Sequence, residues 1–309
     1  MTQTNARDLG RLLSDSFAAM REGWMGYAAI ILFGIAPGLL LKEAASMFTG
    51  LSWDAIFREA LGGGTIVFRG AVFVITLTNV TFSALASMAL IRAIAARSEG
   101  KKIVPAQAFS GAVPYIGPWL FTWVPMILRI MIGFLPAVAV TVFLMLDFGT
   151  AAMILDGLCM LFGVCWAVIW SIRYSFWMWA VVLEGRSGND ALRRSRDIVV
   201  AHMGKVFGTV FASYLVGYLA IAAALLPLAI LFFAASAVFP GAAVVWSAFT
   251  NGLWGLIGRA VPWSGPVWLA EAMRVLIDLI TSVVAIWATI LASFLYQDLS
   301  ALHPSPPPH

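Results

Sequence analysis

Three charged residues, Glu271, Arg274 and Asp278, lie three and four positions apart within an apolar run, a spacing that puts them on one face of a helix. A charge at the centre of a bilayer costs roughly 2.5–3.5 kcal/mol or more, so one kept there commonly has a partner or a task. Two chemistries fit the pattern. Arg274 can bridge both carboxylates as an ion network near the outer interface, or the face can line a cavity as a proton or cation relay. Arg129 and Asp156 complete a candidate intramembrane polar network with these three. Both flank a turn around Asp147, at depths that differ by roughly 14 Å at the helical rise. They are read as a buried pair, as separate snorkelling charges, or as part of a substrate site.

A second constellation is basic. Glu184 to Lys205 reads EGRSGNDALRRSRDIVVAHMGK and separates two long apolar runs. Asn189 or Ser187 can cap a helix from Asp190 onward. Leu192, Ser195, Val199 and His202 then fall along one side, with Arg193, Arg196 and Val200 on another. This is a basic amphipathic helix suited to anionic headgroups, at about 1 kcal/mol per basic residue. Arg193, Arg194, Arg196 and Lys205 are the candidate headgroup or partner contacts, joined by Arg173, which is followed by Tyr174, Trp177 and Trp179 and is placed to snorkel to lipid phosphate.

Other chemistries lack their residues. His202, His303 and His309 are the only histidines, and none has zinc-protease spacing. Gly62–Gly64 lacks the lysine and hydroxyl of a phosphate-binding loop, and there is no nucleophile elbow. Cys159 and Cys165 are turned about 240° apart on a helix, which disfavours a disulfide or a shared metal. No catalytic residue, cofactor or metal is expected, and the reading is of a non-enzyme.

These residues must be positioned by membrane helices. The chain of 309 residues is 61% apolar and 11% charged, with 13 Trp and 21 Phe and a mean hydropathy of +0.93. No soluble core can hide that much apolar surface. Runs long enough to span a bilayer occur at Trp24–Leu41, Thr65–Ala95, Pro118–Leu146, Ala151–Leu183, Val206–Phe239 and Val267–Tyr296. Pro37, Pro125, Pro136 and Pro227 are the candidate kinks. The fold class is therefore all-α, a polytopic bundle of six transmembrane helices with short amphipathic interfacial helices, one expected over 51–61. Residues 240–266 form a further interfacial or re-entrant element. The apolar run beginning at Trp24 is read as a retained first span, since no cleavage site follows it.

Basic residues concentrate before spans one, three and five, which puts these links and both termini in the cytoplasm of a bacterial inner membrane. The net charge of +4 is confined to such loops, so nucleic acid is set aside. SDSFAAMREGWMGY, AQAFSGAVPYIGPW and RSRDIVVAHMGKVF precede the odd-numbered spans with a similar pattern. Residues 1–302 thus read as one membrane domain, with a threefold repeat over about 1–100, 101–185 and 186–302. Residues 303–309 are a disordered proline-rich tail.

The stretch WMWAVVLEGRSGNDALRRSRDIVVAHMGKVFG resembles the bacterial glycerophosphoryl diester phosphodiesterase membrane-domain family and its six-span relatives. ALASMALIRAIAARSEGKK and FLYQDLS are similar to the end of that family's second span and to its closing sequence. The resemblance implies six helices and a cytoplasmic amphipathic layer, and implies no hydrolysis, because the family's phosphodiesterase is a separate soluble domain. His202 and Met203 stand where the family pattern has more arginine. The expected function is to organise anionic lipid, a membrane protein partner or a homo-oligomer. The alternative is a small transporter or channel using the charged face of the last helix.

Overall fold

A computed structural model describes residues 7–49, 53–144, 149–239, 242–256 and 267–303. Every regular element among them is helical, and the protein is an all-α bundle. Six helical segments are long and apolar enough to cross a membrane: Leu9–Thr49, Ile66–Ser98, Pro105–Ile132, Ile154–Glu184, Met203–Val238 and Ala272–Leu302. The chain is a multi-pass membrane protein. It divides into two compact units, one of Met1–Asp15, Ser110–Phe211 and Leu291–His309 and another of Ser16–Phe109 and Ala212–Ile290.

In the second unit, small residues let helices approach closely. Helix α1 (Leu9–Thr49) carries Gly34 and Gly38 one turn apart, against α3 (Ile66–Ser98). A methyl added at Gly34 would come within 2.1 Å of the Ala86 Cβ, and one at Gly38 within 2.0 Å of the Asn79 side-chain oxygen. In lipid, where apolar side chains gain little by leaving the solvent, such backbone proximity is a main source of helix association. Helix α2 (Trp53–Gly62) lies over the stretch expected to be interfacial. It buries Ile56 and Ala60 against Val72, while Phe57 and Leu61 remain exposed. Of the segment 240–266, Ala242–Leu256 is a helix, and its Phe249 is buried with Leu225 and Ile277. Residues 257–266 lie outside the described ones, as does the tail from 304.

The expected spans are corrected in three places. The first helix begins at Leu9 and runs unbroken through Gly23, so the segment leading into span one has no turn. The third span, expected over Pro118–Leu146 with Pro136 as a candidate kink, follows the short helix α4 (Pro105–Ala112) and is two helices, α5 (Ile116–Ile132) and α6 (Leu135–Leu144). Pro136 lies in the first turn of α6, where its missing N–H is tolerated, and Gly133 closes α5 by donating back to Ile130 and Met131. The fourth span is likewise broken between α7 (Gly149–Arg173) and α8 (Trp177–Glu184). Pro37, Pro125 and Pro227 lie inside helices that continue through them.

Both breaks free backbone groups that must find other partners. At the first, the Arg129 carbonyl accepts from the Trp166 indole N–H (2.9 Å), and Gly133 makes the room, since a methyl there would lie 2.3 Å from that ring. At the second, the Ser195 hydroxyl accepts from the Phe176 N–H (3.0 Å) and donates to the Arg173 carbonyl (3.1 Å). One buried side chain thereby restores both hydrogen bonds that the turn at Tyr174–Phe176 interrupts.

Candidate functional site

Ser195 belongs to α9 (Gly188–Ala201), the helix of the basic island in the first unit. The chain leaves α8 through Gly185, whose φ of 68° is a left-handed cap suited to glycine. Of the two expected caps, Ser187 occupies the cap position, but its side chain makes no cap bond, and the Gly188 N–H donates instead to Thr122 Oγ1 of α5 (2.7 Å). That tie frees the Asn189 amide for the site.

The buried side of α9 consists of Ala191, Leu192, Arg194, Ser195, Ile198 and Val199, and Arg193, Arg196 and Val200 are exposed. Arg194 therefore does not join Arg193 and Arg196 as a headgroup contact. Its Nε donates to both Glu184 oxygens (3.0 Å each). Glu184 also accepts from Arg186 Nε (2.9 Å) and from the Tyr296 hydroxyl (2.5 Å). Two stretches that carry the family resemblance, the run from Trp177 and the closing FLYQDLS, meet at this carboxylate. Lys205 is half-buried, and its ammonium donates to the Arg7 carbonyl (2.5 Å). Arg7 in turn pairs with Asp298 (2.9 Å) and Asp15 (3.1 Å). Burial pulls the Arg7 pKa down, yet these two carboxylates together outweigh it and hold the value above the ordinary one.

A cleft of about 270 Å³ remains between α5, α7 and α9, lined by Arg129, Trp170, Tyr174, Asn189, Arg193 and Arg196. Arg129 is fixed at its edge, donating to Asn189 Oδ1 (2.8 Å) and to the Tyr174 hydroxyl (3.2 Å). Arg196 shares its charge with the exposed Asp197 (3.2 Å). Among the described residues, Arg193 has no ion-pair partner, and no carboxylate lines the cleft. Three guanidinium groups in this setting can bind an oxyanion by charge-assisted hydrogen bonds. Arg173 sits beside this site, its guanidinium carbon 5.1 Å from the Trp170 ring centre.

Of the expected polar network, Arg129 and Asp156 do not pair with each other. Arg129 binds Asn189 and Tyr174, and Asp156 accepts instead from Thr141 (3.0 Å). Arg274 lies 3.9 Å from Glu43 of α1, a contact absent from the sequence reading. The Asp278 carbonyl accepts from Thr281 (2.9 Å) and Ser282 (2.7 Å). The side chain of Glu271 lies outside the described residues. Glu184, Thr122 and Tyr296 are site-building residues that the sequence reading gave no role, whereas Asn189 was expected as a cap, Ser195 on one side of the basic helix and Tyr174 among the aromatics after Arg173. For Glu184 a signal existed, since it is the carboxylate that opens the basic island. Among the described residues there is no cluster of three or more metal-ligating side chains. Compared with known families, characterised proteins and solved structures, the chain matches none of them.

Proposed function

We propose that this protein is a non-enzymatic, multi-pass protein of the bacterial cytoplasmic membrane that binds anionic phospholipid headgroups through Arg129, Arg193 and Arg196. Organising lipid, and any membrane partner held with it, is the function that follows. The observation that carries this reading is where the cleft lies along α7. That helix has 25 residues, roughly 37 Å at the helical rise, against a hydrocarbon core of about 30 Å. It ends in an aromatic ladder of Trp166, Trp170 and Tyr174, with ring centres 5.6 and 5.1 Å apart. Aromatic rings followed at once by a helix break and arginines are what a bilayer interface selects. The cleft thus stands at headgroup depth, and α9 serves as the basic amphipathic helix that faces it. The positive-inside rule puts this end in the cytoplasm, with both termini. The likeness to the phosphodiesterase membrane-domain family is part of the same proposal, supported by the meeting of Glu184 with Tyr296.

The test is lipid retention. Protein reconstituted in discs of phosphatidylglycerol and phosphatidylcholine is re-extracted, and bound lipid is measured by mass spectrometry. Arg193→Gln/Arg196→Gln changes two exposed side chains and should leave the fold intact. At about 1 kcal/mol per basic residue the double variant should lose roughly thirtyfold in phosphatidylglycerol affinity, and the wild-type preference should weaken with salt. Equal phosphatidylglycerol retention by the folded variant and wild type would remove the proposal.

A further inference from the structure

The second unit holds another cleft, of about 390 Å³, whose lining differs in kind. Its charged residues are Arg21 and Glu22 of α1, Arg97 at the end of α3, and Lys102 in the link that follows. That link is built to reach α1. Gly100 has φ 77°, and the chain turns there with the Lys101 N–H donating to the Ala96 carbonyl (3.0 Å), a left-handed helix end that favours glycine. Ile103 then lies over Gly23 and Gly26, where added methyl groups would come within 2.9 and 2.8 Å of its side chain. Lys101 is occupied by Glu99 (2.6 Å), and Lys102 is left to line the cleft.

The distinguishing group is Glu22. Its Oε2 accepts from Arg97 (2.6 Å), and a carboxylate oxygen with open lone pairs remains, since a carboxylate has about four acceptor sites. Glu22 is half exposed. A carboxylate with open lone pairs recognises an ammonium group by charge-assisted N–H bonds, whereas Trp24, two positions on, lies about 200° around the helix. Arg21 and Lys102, which have no ion-pair partner among the described residues, supply the opposite recognition, of a phosphate. Trp24 opens the apolar run Trp24–Leu41, which at roughly 27 Å nearly fills the hydrocarbon core. The cleft therefore stands where headgroups are.

We infer that this cleft is a second lipid site, one that takes a zwitterionic phosphoethanolamine headgroup. The ammonium sits on Glu22, and the phosphate on Arg21 and Lys102. A primary ammonium is favoured over a quaternary one because Glu22 offers a hydrogen-bond acceptor, whereas a trimethylated nitrogen has no N–H to donate and relies on several aromatic walls. The assignment stands independently of the arginine cleft of the first unit, which has no acidic lining residue.

The experiment uses the full chain in discs of equal phosphatidylethanolamine, phosphatidylcholine and phosphatidylglycerol, with retained lipid counted by mass spectrometry. Wild type should retain phosphatidylethanolamine over phosphatidylcholine. Glu22→Gln should lower phosphatidylethanolamine retention about fivefold or more, the loss of one charge-assisted hydrogen bond. The same change leaves phosphatidylglycerol retention equal or raised, because Arg97 loses its internal anion. Arg193→Gln/Arg196→Gln should lower only phosphatidylglycerol, so the two sites fail separately. Phosphatidylethanolamine retention unchanged in Glu22→Gln, or all three lipids falling together in it, would overturn the inference.

Discussion

Arg193 and Arg194 are neighbours of the same type with opposite roles. Arg194 is 9% exposed and shares Glu184 with Arg186 and Tyr296. Removing it leaves a mostly buried carboxylate short of one cation, and Arg194→Ala should cost about 2–3 kcal/mol. Arg193 is exposed and has no ion-pair partner among the described residues, so Arg193→Ala should stay within about 0.5 kcal/mol while weakening anionic lipid binding. Thermal unfolding of both variants in one detergent checks the pair, and equal losses would refute the assignment. This division was partly legible in the sequence. At about 100° per residue, Ala191, Leu192, Ser195, Ile198 and Val199 define an arc, and Arg194 falls at its edge about 60° from Ala191. Counting basic residues for topology treats all the arginines alike and hides that phase. What no local pattern could supply is the partner, because Glu184 and Tyr296 are 112 positions apart.

The same limit governs the elements. Composition and run length gave six membrane helices and the helix of the basic island, because burial in lipid depends on the residues of each segment alone. Pro136 marked the first break as a candidate kink, but the turn at Tyr174–Phe176 was not legible there, since it holds no proline or glycine. A break inside a long apolar run is stable only where another element satisfies the released backbone groups. Trp166 and Ser195 do so from distant positions. Ser195→Ala tests this dependence. It leaves the Phe176 N–H and the Arg173 carbonyl without their buried partner, at a cost of about 1–3 kcal/mol each before relaxation. Amide hydrogen exchange should rise in residues 174–178 and at the start of α8, with the middle of α7 unchanged. Uniform exchange along α7 and α8 in the variant, equal to that of wild type, would mean that Ser195 does not hold the break.

At the scale of the molecule, the ends of the chain are tied to each other inside one unit. Arg7 donates to Asp298 through its backbone N–H (3.1 Å) and its guanidinium (2.9 Å), and its guanidinium carbon stands 4.8 Å from the Phe294 ring centre. Lys205, at the start of the fifth membrane-capable helix, holds the Arg7 carbonyl. Such contacts require residue 7, residue 205 and residue 298 to share one side of the bilayer, which happens only if an even number of crossings separates each pair. Four helices capable of crossing lie between Arg7 and Lys205, and the fifth and sixth lie between Lys205 and Asp298. The ion pairs and the helix count are separate observations, and they agree. Reporters of compartment fused to the two ends should therefore give the same answer. A thiol placed at exposed Leu61, in the link after the first helix, should react from the opposite side. Opposite compartments for the two ends would break the Arg7–Asp298 contact, and with it the part of the first unit in which both termini, Lys205 and the Glu184 carboxylate are assembled.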